Sequence, residues 1–299
     1  MNLSFKTLLA VLCVAALTPA AVSQHAGLVL FGDPNPAAAE VEPMRKAVHP
    51  VTSPYYHEDS FVTTDVRAWF LYHDFPKSSA IGGGNAKVYA LQIRAALTES
   101  LQFVAYKDGY TDFDSGLVKD DGWNDLAAGV KWAFLQDFET DMHAAVGLGY
   151  QLGIGDDDVL QGDDELRLWA SFNKGFEALH LGGTINLLLP TDNEEALGDS
   201  DRLTWHLHAD YWLCEWFSAV AEVNGYVTLD DGDNAPLPFS AVDVANIGGG
   251  EGEDVVTLAP GFEVRPASNV GLRAAYEFPI TSNEDLFGYR WTLSAVVSF

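Results

Sequence analysis

The chain has 299 residues and carries 16 Lys and Arg against 43 Asp and Glu, a formal charge of −27. That balance excludes a nucleic-acid-binding surface, which needs bases to displace counterions from phosphates, and equally a polybasic membrane-surface protein. Hydrophobic residues make up 48% of the chain, too many for an acidic disordered polymer and enough to bury a large core.

Residues 1–23 read as a secretory signal. Lys6 gives the positive start, Leu8 to Leu17 the apolar run, and Ala21-Val22-Ser23 a small-x-small cleavage site before Gln24. Cleavage removes Cys13 and leaves Cys214 alone, so no intrachain disulfide is expected. No later stretch offers about 18 consecutive apolar residues, so any membrane crossing must use strands.

Residues 24–60 lack a clear period and read as a mobile N-terminal lead. From Phe61 onward the period is two. In the last segment Phe287, Tyr289, Trp291, Leu293, Ala295, Val297 and Phe299 share one face, while Arg290, Thr292, Ser294 and Ser298 lie on the other. Such a strand needs an apolar medium on one side and a wet space on the other. The alternation recurs at 61–74, 86–97, 100–108, 125–136, 139–153, 165–174, 177–189, 202–213, 216–229, 254–265, 268–279 and 286–299. About ten residues tilted near 45° cross a bilayer's hydrocarbon layer, so each segment is long enough.

Tight links, such as Thr98-Glu99 and Cys214-Glu215, alternate with long polar ones, such as 109–124 and 230–253. Short turns on one side and long loops on the other are the organisation of an outer-membrane barrel. The pattern predicts an all-β fold, a transmembrane antiparallel up-and-down β-barrel of about twelve strands over 61–299. A secreted β-sandwich that binds carbohydrate is the soluble alternative, although its loops would have no reason to sort by side.

The first strand then runs outward from the periplasmic side. This places Phe70, Tyr72, Tyr89, Tyr150, Trp205, Tyr276, Phe278 and Tyr289 on the lipid face near the outer rim. Phe103, Trp132, Phe134, Phe172, Tyr211, Phe217, Phe262 and Phe299 fall near the inner rim. Lys107 would face lipid unless a bulge resets the register, and Pro260, which lacks a ladder donor, predicts another bulge.

The stretch Trp291 to Phe299 resembles the closing strand of Gram-negative outer-membrane proteins. In that group the terminal Phe is part of the signal read by the barrel-assembly machinery. The middle of the chain resembles the transporter-like outer-membrane proteins associated with the meta pathway of phenol degradation. The matching residues are Gly147-Leu148-Gly149 and Leu189-Pro190-Thr191, followed by Asp192 where that family usually has Gly. The resemblance implies an outer-membrane location in contact with lipid and lipopolysaccharide, and transport of small compounds, aromatic ones included.

The inward face carries Arg67, Arg94, Lys131, Arg167, Arg273 and Arg290 with Asp65, Asp210, Glu222, Glu263 and Glu277. A closed wall keeps these charges from lipid, where each would cost about 2–4 kcal/mol near the midplane. Opposed charges can line an aqueous path for small solutes, a reading favoured over networks that merely fill a small bore. A non-conducting barrel displaying its loops is the rival.

His206, His208 and Asp210 share the inward face near His180, but histidines are routine in a polar lumen, and no metal or other cofactor is assigned. No His has Ser two positions later, and His208-Ala209-Asp210 falls toward the periplasmic end, so no catalytic role is assigned either. The long loops hold most of the acidity, including Asp112, Asp157, Asp163, Asp192, Asp199, Asp233, Asp243 and Glu251. These predict a negative mouth, with divalent cations as candidate partners.

Overall fold

The computed structural model describes residues 28–32, 46–79, 81–191, 199–232 and 242–299. Residues 1–23, read from the sequence as a secretory signal, lie outside them. Apart from one 3-10 turn at Asp157–Val159, the regular elements of the described chain are all strands: β1 (Asp65–Phe75), β2 (Gly84–Ala96), β3 (Leu101–Lys107), β4 (Tyr110–Ser115), β5 (Asp121–Trp123), β6 (Leu126–Asp137), β7 (Met142–Leu152), β8 (Glu165–Phe176), β9 (Leu179–Pro190), β10 (Asp201–Cys214), β11 (Phe217–Asp230), β12 (Val255–Ala267), β13 (Val270–Pro279) and β14 (Tyr289–Ser298).

Every pairing within this sheet is antiparallel. Because β1 pairs with β14 as well as with β2, the sheet closes on itself. β3 and β4 run on as one wall strand, both against β2, and β5 and β6 form the next, so the wall is a 12-strand barrel. A sandwich is therefore excluded.

Alternation sets which way each side chain points. In β2, Ala86, Val88, Ala90, Gln92 and Arg94 are buried inward, while Tyr89, Leu91 and Ile93 are exposed outward. Trp132, Phe134, Val146, Leu148, Phe172, Ile185, Leu207 and Leu293 continue the outer skin. In lipid this skin is solvated, and closure leaves the sheet without a free edge strand. On the outside, Tyr276 packs against Phe278, Tyr289 and Trp291, and Phe217 stacks on Phe262 near the opposite rim.

The two irregular positions resolve differently. At Lys107 the β3–β6 register shifts, which turns its side chain inward to Asp125 at 3.4 Å and Gln151 at 3.0 Å. At Pro260 the expected bulge is absent. The β11–β12 register runs straight through it, and the shift in β12 falls between Val264 and Ala267. No pair to β13 forms at Ala259 or Pro260, so the missing N–H is absorbed by a gap in that ladder rather than by an extra residue.

The largest departure from the sequence reading concerns the lead. Residues 47–63 are buried inside the barrel, with Val51, Thr52, Ser53 and Ser60 at 0% exposure. The segment enters beside Arg265 and Asp210, climbs to Arg167 and Arg202, and returns to the rim, where Phe299 N–H donates to the Thr64 carbonyl at 2.9 Å. It reverses at Ser53, whose φ of 47° is left-handed and whose carbonyl accepts from the N–H groups of Tyr56 and His57. A mobile lead over 24–60 is thus corrected for residues 46–60. The physical reason is that an interior lined by charge must be filled by water or by matching polar groups, and this segment supplies the groups.

Candidate functional site: the plugged lumen

Apolar contacts seat the plug alongside its charged ones. Tyr55 and Tyr56 pack with Trp69, Leu71, Val88, Ala90 and Leu188, while Val48 and Val51 pack with Val220 and Ala275. These wall residues are the apolar members of the inward face.

Arg94 and Lys131 converge on Glu58, at 2.7 and 2.9 Å, and Lys131 also donates to the Asp59 carbonyl at 2.9 Å. Arg67 pairs with Asp65 at 2.7 Å and lies 3.8 Å from Asp59, which is bonded to His49. Arg167 donates to the carbonyls of Tyr55 and Tyr56 at 2.7 and 2.9 Å. Its guanidinium sits 4.5 Å from the Trp169 ring and 4.6 Å from that of Tyr106, so its charge faces π-density, and among the described residues no carboxylate pairs with it. The wall makes room for this stack at Gly147, where any β-carbon would overlap the Trp169 indole.

The other side of the lumen holds the acids. Glu222 accepts from the Val51 and Thr52 N–H groups at 2.8 and 2.7 Å, and Asp210 accepts from Val48 N–H at 3.1 Å. His208 bridges Glu222 and Asp210, at 2.7 and 3.2 Å, and His180 bonds Asp210 at 2.8 Å. The His57 ring of the plug stacks on His206 at 5.0 Å. His206 and, edge-on at 6.1 Å, His208 thus meet the plug through His57, while His180 holds Asp210 within the wall. Among the described residues no group of His, Cys, Asp or Glu has the arrangement of a metal site.

Glu263 is shared by Arg273, at 2.6 Å, and Arg265. Glu277 accepts from Asn224 and Thr257 and lies 3.6 Å from Arg290. Each charged residue singled out on the inward face is buried, but what they line is occupied space. Arg94, Lys131, Arg167, Asp210 and Glu222 bond the plug directly, Arg67 lies 3.8 Å from its Asp59, Asp65 accepts from its Thr63, and the others pair within the wall or with a loop.

That loop corrects a second expectation. Asp243, assigned to a solvated acidic mouth, is buried and bonded to Arg290 at 2.9 Å and to Ser53 of the plug at 3.2 Å. Burial alone would raise its carboxyl, but Arg290 outweighs this and holds it below the usual carboxylate range. Ala245 and Ile247 join Phe75, Ile81, Ala86, Phe113, Val159 and Leu286 in an apolar cap. Asp157, Asp158 and Glu251 stay exposed, whereas Asp192 and Asp233 lie outside the described residues.

The sequence reading missed Glu58, Asp59, Arg202 and Arg265. The last two were legible as inward positions by parity in β10 and β12. The plug acids carried no signal, because an irregular segment has no period to place them.

Closed antiparallel wall, apolar skin, aromatic rims and charged interior together define a transmembrane β-barrel. No family model and no curated protein sequence matches the chain. Among solved structures it is similar to an outer-membrane channel from Pseudomonas putida F1, at 13% identity and a TM-score of 0.60, covering 85% of this chain and 100% of that one. The KdgM porin, solved in complex with disordered oligogalacturonate, is 9% identical with a TM-score of 0.47, covering 80% of this chain and 99% of its own. The first of these likenesses supports the fold.

Proposed function

We propose that the protein passes small solutes across the outer membrane through a lumen gated by residues 46–64. The observation that carries this reading is the way the plug is held. Its contacts to Arg94, Lys131, Arg167, Asp210 and Glu222 are polar and charged. If the plug withdraws toward the periplasm, those groups face water and form a charged, hydrated path. An apolar plug would leave a surface that expels water. Arg/acid pairs along the path then set which solutes pass. The end of β14, from Trp291 to Phe299, fits recognition by the barrel-assembly machinery: Trp291 is exposed to lipid and Phe299 lies at the rim beside Leu28.

Planar-bilayer recording of the full chain and of a chain lacking residues 47–60 tests the proposal. The full chain is expected to stay mostly closed with brief openings, and the deletion to conduct steadily. A deletion barrel that is folded by heat-modifiable gel migration yet passes neither ions nor small sugars would leave a scaffold for surface loops instead.

A further inference from the structure

We infer that the barrel wall carries a membrane-facing binding site for a small cationic amphiphile, an apolar body bearing one ammonium group. This goes beyond passage through the lumen and does not depend on it. The site begins as a fault in the wall. β2 pairs with β4 over Gly84–Tyr89 and with β3 over Ile93–Ala96, so Ala90, Leu91 and Gln92 have no backbone partner on that edge. The neighbouring strand swings away between them at Asp108-Gly109, where Gly109 has a φ of 114°. A β-carbon there would strike the Tyr89 carbonyl.

Side chains stitch the fault. Leu91 N–H donates to the Asp108 carboxylate at 3.1 and 3.2 Å, and Gln92 Nε2 donates to the Tyr106 carbonyl. Asn124 donates its backbone N–H to the Gly109 carbonyl at 2.9 Å. The polar floor is thus present, but the wall has parted. A cavity of about 370 Å³ opens there, of a size that takes a small organic molecule. Its sides are Leu91, Trp123, Leu126 and Ile154, all exposed on the outer skin, so its mouth faces the membrane in the long-loop half of the wall.

Asp108 sets the ligand's chemistry. Asp108 lines the cavity half-buried, and the only hydrogen-bond donor to its carboxylate among the described groups is the neutral N–H of Leu91, another lining residue. Among the described residues no Lys, Arg or His forms an ion pair with it; the adjacent Lys107 turns to Asp125 and Gln151 instead. A carboxylate in an apolar recess with one neutral donor gains most from a ligand that brings both a donor and a positive charge. An anionic head is repelled. A neutral hydroxyl supplies a donor without the countercharge.

The test uses the full chain in lipid nanodiscs, titrated with 4-phenylbutylamine, 4-phenylbutanol and 4-phenylbutyrate, with binding read by calorimetry against empty nanodiscs. The amine is expected to bind saturably at one site per barrel and at least tenfold more tightly than the alcohol, with no site for the carboxylate. Asp108→Asn is expected to remove the amine's advantage. Ile154→Trp, which fills the recess and leaves Asp108 in place, is expected to abolish saturable binding, and it decides the matter if Asp108→Asn fails to fold. Equal binding of amine and alcohol, or an amine isotherm unchanged in either folded variant, overturns the site.

Discussion

At Glu58 one plug carboxylate answers two wall cations, Arg94 and Lys131. A buried pair gains little over apolar packing, yet removing one partner leaves an uncompensated charge and costs about 3–5 kcal/mol. Glu58→Ala is therefore expected to lower the urea midpoint of the reconstituted barrel by a corresponding amount. The combination Glu58→Ala, Arg94→Met, Lys131→Met should recover most of the loss, because it removes the stranded charges along with their partner. If the triple variant is no more stable than Glu58→Ala, the interaction is not one of charge compensation. Arg167 differs in kind. Among the described residues it pairs with no carboxylate but grips two plug carbonyls from within an aromatic stack, so both the fork of its guanidinium and its π-face are used, and lysine has neither.

Among the elements, the loop between β7 and β8 shows how the mouth is folded. Asp125 gathers the N–H groups of Gly155 and Gly162 at 2.9 and 3.1 Å, which draws residues 153–163 across the barrel's end. Nearby, burial and then the charge of Asp199 push Asp163 up to about 8, against the pull of Lys107 and Arg202. A carboxyl raised in the folded state binds its proton more tightly there than when unfolded. Ionised Asp163 therefore weakens the closed loop above pH 8, and the penalty fades as pH falls toward 4. Hydrogen-exchange protection at Gly155 and Gly162 should rise as pH is lowered from 8.5 to 6.5, by at most about tenfold per unit. Asp163→Asn should flatten that rise, and a wild-type profile already flat would show that the loop does not sense this proton.

The strands themselves were legible because a wall with lipid on one side and polar groups on the other imposes strict parity. Segments such as 165–174 and 202–213 match β8 and β10 to within two residues. β4 and β5 were not legible: Tyr110–Ser115 and Asp121–Trp123 are acidic and sit beyond a bulge, so their composition reads as loop. The plug escaped for a related reason. Its burial is fixed by partners far away in sequence, as with Thr52 and Glu222, and no local pattern encodes such a contact.

For the molecule as a whole, plug and wall divide the charge between them, and this gives the gating proposal a sharper consequence. In the intact protein Arg167 is spent on plug carbonyls and is buried from any permeating ion. Arg167→Glu should then act first on the gate, since a carboxylate facing the carbonyls of Tyr55 and Tyr56 repels what the guanidinium held. Open probability rises in bilayer recordings. In a chain that lacks residues 47–60 there is no gate to loosen, and the same substitution should act on selectivity alone. The reversal potential in a salt gradient moves toward cations, and the shift shrinks at high salt as screening shortens the reach of the charge. Arg273→Glu is expected to differ, because Arg273 pairs with Glu263 within the wall and its reversal sets two carboxylates against each other. That variant should destabilise the barrel with or without the plug. If Arg167→Glu leaves open probability unchanged in the full chain while shifting its selectivity, ions pass Arg167 with the plug in place, and the gate must lie in the loop cap built on Ala245, Ile247 and Leu286.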